Sequence, residues 1–204
     1  MQESITFNTD KYSHGFMEIY DPLFRELKTS KKVLEIGIYH GDSLKLLDYY
    51  FKDAKIYGID INNYEHLNND KIKTFICNQE KRDDLKSVID VIGDDLDLII
   101  DDGGHTMKQQ QVSFGFLFSK LKSGGIYILE DLHTSRIENF GTIVPDDLIT
   151  TLDMLFNMKY TNNVISNHMT EEEKEYIKNN TESIKIWTRT PEYNISVTSI
   201  IKKK

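Results

Sequence analysis

Val33-Leu34-Glu35-Ile36-Gly37-Ile38-Tyr39-His40-Gly41-Asp42-Ser43-Leu44 is the stretch that decides the fold. Its first half, Val33 to Gly37, is a short apolar run closed by glycine and reads as a strand. The segment from Ser43 to Phe51 carries Leu44, Leu46, Leu47 and Tyr50 at helical spacing. Between them, Gly37 and Gly41 punctuate a strand-to-helix turn. Glycine there allows close approach of backbone to a ligand, and the helix start offers free N–H groups.

The same alternation continues outward. Lys55 to Ile61 and Lys71 to Cys77 read as strands, Arg82 to Ile92 as a helix, and Leu96 to Ile100 as a fully buried strand. Met107 to Leu121 reads as a long helix, followed by Gly124-Gly125 and a strand from Ile126 to Leu129. Strands alternating with helices predict an α/β, Rossmann-like, doubly wound and mostly parallel sheet. Right-handed crossovers place its ligand site along the C-terminal ends of the strands. Asp146 to Lys159 and Glu171 to Asn180 look helical. Ile184 to Thr188 and Asn194 to Ile201 then flank a turn around Pro191, which predicts an antiparallel C-terminal hairpin at one sheet edge.

The 204 residues suit a single domain, 1–204, with 1–30 as an N-terminal segment on the cofactor and substrate side. Residues 134–180 are expected to form a lid or acceptor-binding insert. A net charge of −8 disfavours nucleic acid as a partner, because acids spread along the chain repel phosphate backbones. The Lys202-Lys203-Lys204 end reads as solvated chain rather than a binding arm. No run reaches the roughly 18 apolar residues of a membrane span. Cys77 is the single cysteine, so no intrachain disulfide can form. With no secretory signal at Met1-Gln2-Glu3-Ser4, a cytoplasmic enzyme with a small-molecule substrate is expected, with or without homo-oligomerisation.

Asp60 closes the second strand 23 residues after Gly37, where an acid can accept hydrogen bonds from both hydroxyls of a ribose. That logic serves NAD and S-adenosylmethionine alike. The loop lacks the third glycine of G-x-G-x-x-G, and Glu35 would repel a pyrophosphate but suit a cationic methionine moiety. Farther on, Leu98-Ile99-Ile100-Asp101-Asp102-Gly103-Gly104-His105 puts two acids and a histidine directly after a buried strand. Ile128-Leu129-Glu130-Asp131-Leu132-His133 again ends a strand in acids. Asp102, Glu130 and Asp131 could converge as an oxygen site for Mg²⁺ or a similar divalent cation, with His105 at its edge as a base. A cation lowers the pKa of an alcohol, and an imidazole can then take its proton. The structural alternative is that the acids cap helices and His105 is a polar turn residue.

The loop resembles the E/D-x-G-x-x-x-G motif of class I methyltransferases at Glu35, Gly37 and Gly41, with Asp60 in place of the ribose-binding acid. Asp101 to His105, followed by Gly124-Gly-x-Tyr-x-x-Glu-Asp131, resembles the paired signatures of metal-dependent macrolide-sugar O-methyltransferases and of cephalosporin-modifying methyltransferase-like proteins. Thr9-Asp10-Lys11-Tyr12-Ser13-His14-Gly15-Phe16 is similar to the segment that precedes the core in that group. The resemblance implies a seven-stranded fold and S-adenosylmethionine over Glu35, Gly37, Gly41 and Asp60, with Asn78, Gln79 and Asp101 on the cofactor side. It also implies a cation on Asp102, Glu130 and Asp131, His105 as general base, and a sugar hydroxyl as acceptor. Tyr12, His14, His133 and Arg136 are candidate substrate contacts, although surface or packing roles suit them too. Asn78 could equally cap the following helix.

The segment from Thr134 to Asn180 matches nothing in the family, and the large N-terminal domain of the macrolide enzymes has no counterpart here. Three other readings compete. Gly41-Asp42-Ser43-Leu44 spells an esterase motif, but Ser43 lies past the glycine loop and Asp102-Gly-Gly-His105 sits mid-chain rather than late. A nicotinamide-dependent dehydrogenase lacks its third glycine, and a non-catalytic cofactor-binding adaptor has no need of a base beside the acids.

Overall fold

Apolar runs five or six residues long, too short for helices, become the central strands of a parallel sheet covered on both faces. The computed structural model describes residues 7–136, 149–189 and 196–204. An N-terminal helix α1 (Met17–Glu26) precedes β1 (Lys32–Ile36), α2 (Asp42–Tyr50), β2 (Lys55–Asp60), β3 (Ile72–Ile76), α3 (Arg82–Ile92) and β4 (Leu96–Asp101). Then come α4 (Met107–Leu117), β5 (Leu121–Leu129), α5 (Thr151–Thr161), α6 (Glu171–Asn180), β6 (Thr181–Arg189) and β7 (Ser196–Lys203).

The seven strands are ordered β3-β2-β1-β4-β5-β7-β6. Strands β1 to β5 run parallel, β7 pairs antiparallel to β5, and β6 pairs antiparallel to β7. The strand order therefore reverses at β1, which pairs with both β2 and β4. A crevice opens at such a switch point, outside the strand C-termini. The doubly wound sheet and its antiparallel hairpin are as the sequence predicts.

Alternation along the strands divides the core. Leu34, Ile36 and Ile99 face one layer with Leu85, Val112 and Phe114. Val33, Leu98, Ile100 and Ile128 face the other, with Tyr20, Phe24, Leu44 and Leu47. This period of two sends Glu35, Asp102 and Glu130 toward the α1/α2 side, and Asp101 toward α4.

Three boundaries differ from expectation. Helix α4 stops at Leu117 and a 3₁₀ turn, Phe118–Lys120, follows, so the helix predicted to Leu121 is one turn shorter. Strand β5 begins at Leu121 rather than Ile126, because Leu121 pairs with Leu96; Gly124-Gly125 lie inside the strand at a register shift. The helix predicted over 146–159 is described from Thr151 and runs to Thr161. Residues 146–148, the turn around Pro191, and parts of the 1–30 and 134–180 segments lie outside the described residues. Among the described residues no helix is long and apolar enough to cross a membrane.

Candidate active site

The glycine loop is shaped by its neighbours before any ligand is considered. Gly37 adopts φ +91°, and a Cβ there would collide with the Asp102 carbonyl of the adjacent turn. Gly41 has φ +77° and sits at the N-cap of α2. Both positions favour glycine on backbone grounds, and the close approach at Gly37 ties the β1 turn to the β4 turn. Asp60 at the end of β2 braces the same loop: its Oδ2 accepts the Ile38 N–H at 2.9 Å and its Oδ1 accepts the Asn62 N–H at 2.8 Å.

A cavity of about 1130 Å³ opens over these strand ends. Its wall includes Gly37, Asp60, Asn78, Gln79, Asp102, His105 and Asp131. Residues 7–10, Tyr12 and Ser13 of the N-terminal strap also line it. Asn78 does not cap α3, whose N-cap is Lys81; its Oδ1 instead accepts the Glu80 N–H at 2.9 Å within the preceding turn. Gln79 braces the β4 turn, accepting the Gly104 N–H at 2.7 Å and donating to Asp101 Oδ1 at 3.1 Å.

Asp101 and Asp102 part company at the end of β4. Asp101 is buried toward α4, where Ser113, Gln79 and Tyr127 all donate to it. Burial pushes its carboxyl up to about 6. Strand alternation directs it toward α4, where these donors make it a brace at the end of β4.

The donor atoms of Asp102, His105 and Asp131 lie within 4.8 Å of one another. His105 Nε2 is 3.4 Å from Asp131 Oδ2, and His133 Nδ1 is 3.8 Å from Asp131 Oδ1. Asp131 holds φ +53°, a left-handed conformation uncommon for a non-glycine residue. Burial raises its carboxyl, while the charges of His105, His133 and His14 act against that rise. Its Oδ1 is buried and accepts no hydrogen bond. Burial lowers the His133 imidazole. Such an unsatisfied oxygen beside a second carboxylate and an imidazole fits a divalent cation.

Glu130 stands apart from that trio. Its Oε1 accepts Lys11 Nζ at 2.9 Å and the Tyr20 hydroxyl at 2.7 Å. Lys11 also donates to Asp102 Oδ2 at 2.6 Å and lies 3.6 Å from Glu35 Oε1. Of the expected triad, Asp102 and Asp131 thus lie together beside His105, and Glu130 is joined to Asp102 through the Lys11 ammonium. Burial alone would push the Lys11 ammonium down, but Asp102, Glu130 and Glu35 hold it well above its ordinary value. Burial, with Asp102 beside it, raises Glu130.

Glu35 is fully buried beneath the glycine loop, hydrogen-bonded to Ser43, with its Oε2 unpaired. Burial pushes it up to about 7 despite Lys11 and Ser43. Ser43 thus serves as a donor to Glu35 from the first turn of α2. Of the substrate candidates, Tyr12 lines the cavity and His14 is near enough to act on Asp131. Arg136 ends the 3₁₀ turn Leu132–Arg136, and its side chain lies outside the described residues.

Sequence reasoning missed Lys11 and Tyr20. A lysine in Thr9-Asp-Lys-Tyr12 has no local signature. The available signal was an excess of charge: Glu35, Asp102, Glu130 and Asp131 at neighbouring strand ends require an internal cation.

No family model matches the chain. Demethylmacrocin O-methyltransferase of Streptomyces fradiae is 35% identical over 136 residues, 63% of this chain and 34% of the relative. A second relative is the 8-demethyl-8-alpha-L-rhamnosyl tetracenomycin-C 2'-O-methyltransferase of Streptomyces olivaceus. It is 29% identical over 161 residues, 74% of this chain and 42% of the relative. Among solved structures, the MycE methyltransferase of the mycinamycin biosynthetic pathway, in complex with Mg, SAH and mycinamycin VI, superposes with a TM-score of 0.73. It is 26% identical and covers 92% of this chain and 49% of its own. The chain spans between a third and a half of the length of these relatives. Its homologues are O-methyltransferases, and its fold is the Rossmann-like fold of class I methyltransferases.

Proposed function

We propose that this chain is an S-adenosylmethionine-dependent O-methyltransferase acting on a sugar hydroxyl with the help of a divalent cation. The observation that carries the reading is one cavity that joins Asp60 and the glycine loop to Asp102, His105 and Asp131. Relatives named for methylation of sugar-bearing natural products, one at the 2'-oxygen of a rhamnosyl group, support the acceptor class. The sign of the chain's charge, −8, is in keeping with a small acceptor rather than nucleic acid. A single-domain arrangement, with 134–180 contributing to acceptor binding, completes the reading, as does a cytoplasmic setting.

When bound, S-adenosylmethionine supplies a methyl on a sulfonium, and a divalent cation supplies Lewis acidity that acidifies the acceptor hydroxyl. Asp60 accepts the ribose hydroxyls, Asn78 and Gln79 border the adenine, and the Glu35 carboxylate under the loop favours the cationic methionine end. The carboxylates that follow β4 and β5, Asp102, Glu130 and Asp131, would hold the cation. His105 takes the hydroxyl proton as the acceptor oxygen forms its bond to the methyl carbon, while the methyl–sulfonium bond breaks with its electron pair staying on sulfur and S-adenosylhomocysteine leaves as the neutral thioether. The strap from Phe7 to Ser13 excludes water and fixes the distance between the two partners, and such positioning supplies much of the acceleration in a displacement. Tyr12, His14 and His133 border the acceptor end.

The test is isothermal titration of the purified protein with S-adenosylmethionine and, in parallel, with NAD, before and after chelation. Binding of the sulfonium ligand without binding of NAD is the expected result, and acceptor screening with rhamnosyl glycosides follows from it. Absence of S-adenosylmethionine binding under both conditions overturns the reading.

A further inference from the structure

Lys11 is buried to 0% exposure, yet it belongs to the strap that precedes the first helix. Its ammonium is shared among carboxylates from three strand ends: Glu35 of β1, Asp102 after β4 and Glu130 after β5. On Asp102 it takes Oδ2, and on Glu130 it takes Oε1, the oxygen that Tyr20 also takes. Neither donor uses Asp102 Oδ1 or Glu130 Oε2. Each carboxylate is thus held by one oxygen from the side of α1.

Resting on the cation-assisted reading above, we propose that Lys11 is a positioning residue of the cation site, fixing the Asp102 and Glu130 carboxylates before a cation arrives. Two effects of Lys11 on a divalent cation oppose one another. Its positive charge repels the ion, so deleting it would tighten binding if charge alone mattered. Its hydrogen bonds fix the rotamers of the carboxylates, so deleting it would loosen binding if orientation governs; outer partners of metal ligands commonly contribute about 10- to 100-fold in affinity. The geometry favours orientation. Lys11 satisfies one oxygen on each of two carboxylates that would otherwise repel each other in a buried setting, and Tyr20 repeats the arrangement on Glu130 without any charge.

The experiment measures Mn²⁺ affinity by the loss of the free-ion electron paramagnetic resonance signal, for wild type, Lys11→Met and Tyr20→Phe. S-adenosylmethionine affinity is measured by calorimetry on the same samples. The expected result is a loss of Mn²⁺ affinity of about 10- to 100-fold in Lys11→Met and a smaller loss, about 3- to 10-fold, in Tyr20→Phe. A residue that only supported the fold would lower the melting temperature and leave the Mn²⁺ affinity of the folded protein unchanged. Unchanged or tighter Mn²⁺ binding in Lys11→Met overturns the proposal. Should that variant fail to fold, unchanged binding in Tyr20→Phe overturns it instead. Wild type that binds S-adenosylmethionine but no Mn²⁺ also overturns it and leaves the methyltransferase reading standing. Wild type that binds Mn²⁺ with the expected variant pattern but no S-adenosylmethionine overturns that reading alone.

Discussion

At the N-terminal edge of the sheet, Asp97 in β4 is surrounded by donors: the Lys31 and Lys32 N–H groups reach its Oδ2 at 2.8 and 2.9 Å, and Lys122 reaches its Oδ1. Burial would raise this carboxyl, but Lys122 and the two backbone donors hold it below the ordinary range. At the C-terminal edge, Glu35, Glu130 and Asp131 are all raised, first by burial, and Lys11 is shared by Glu35, Glu130 and Asp102. The same side chains are fully satisfied at one edge and left short of donors at the other. The first arrangement holds strands together. The second keeps binding capacity in reserve, at a cost in stability, and perturbed groups of this kind concentrate at functional clefts.

The comparison is tested most severely at His105. If the C-terminal edge exists for chemistry, His105→Gln lowers kcat for methylation of a rhamnosyl glycoside by about 100-fold or more. The affinity for S-adenosylmethionine, measured by titration, stays within about twofold. A variant with full turnover would return His105 to the role of a turn residue. At the opposite edge, Asp97→Ala strips two backbone N–H groups of their acceptor and costs about 3 kcal/mol in urea unfolding. Cofactor affinity is unaffected. Because the Asp97 carboxyl is depressed in the folded chain, its contribution is present above the ordinary carboxylate range. It is lost as pH falls through the folded value.

Glu35 gives the opposite sign of pH dependence. Its folded value, about 7, lies above the ordinary 4.5, so the folded chain keeps a proton that the unfolded chain releases. Its burial therefore costs nothing below about pH 4.5, and the cost grows as pH rises to about 7, reaching at most about 3 kcal/mol. Glu35→Gln is expected to gain stability over wild type across that window, with no difference at pH 4.5, and to bind S-adenosylmethionine about tenfold more weakly. Denaturation of both proteins between pH 4.5 and 8 checks this. A difference that shrinks as pH rises would break the contrast with Asp97.

Strands β1 to β4 were legible because buried parallel strands are apolar runs with abrupt ends, and Gly37 with Asp60 marks where the crevice opens. The start of β5 was not, because Lys122-Ser123-Gly124 interrupts the apolar run and only the pairing of Leu121 with Leu96 makes it a strand. The separation of the two adjacent aspartates rests on parity: Asp101 follows Ile99 toward α4, whereas Asp102 follows Ile100 toward α1. Lys11 lies 91 and 119 residues from Asp102 and Glu130, a separation that no local pattern encodes.

The effect with least bearing on catalysis concerns Cys77, which borders the cavity at the end of β3 yet has no part in the chemistry. It is 3% exposed, and burial, with Asp84 nearby, pushes its thiol up to about 12. The thiolate is the reactive form, so at pH 8 only about one molecule in ten thousand carries it. Labelling by an aromatic disulfide at pH 8 should therefore run about a thousandfold slower than for an exposed thiol in urea, and occupancy of the cavity by S-adenosylhomocysteine should slow it further. Fast labelling of the folded protein would mean that the wall at β3 opens to water. The C-terminal edge would then owe its raised carboxyls to something other than burial.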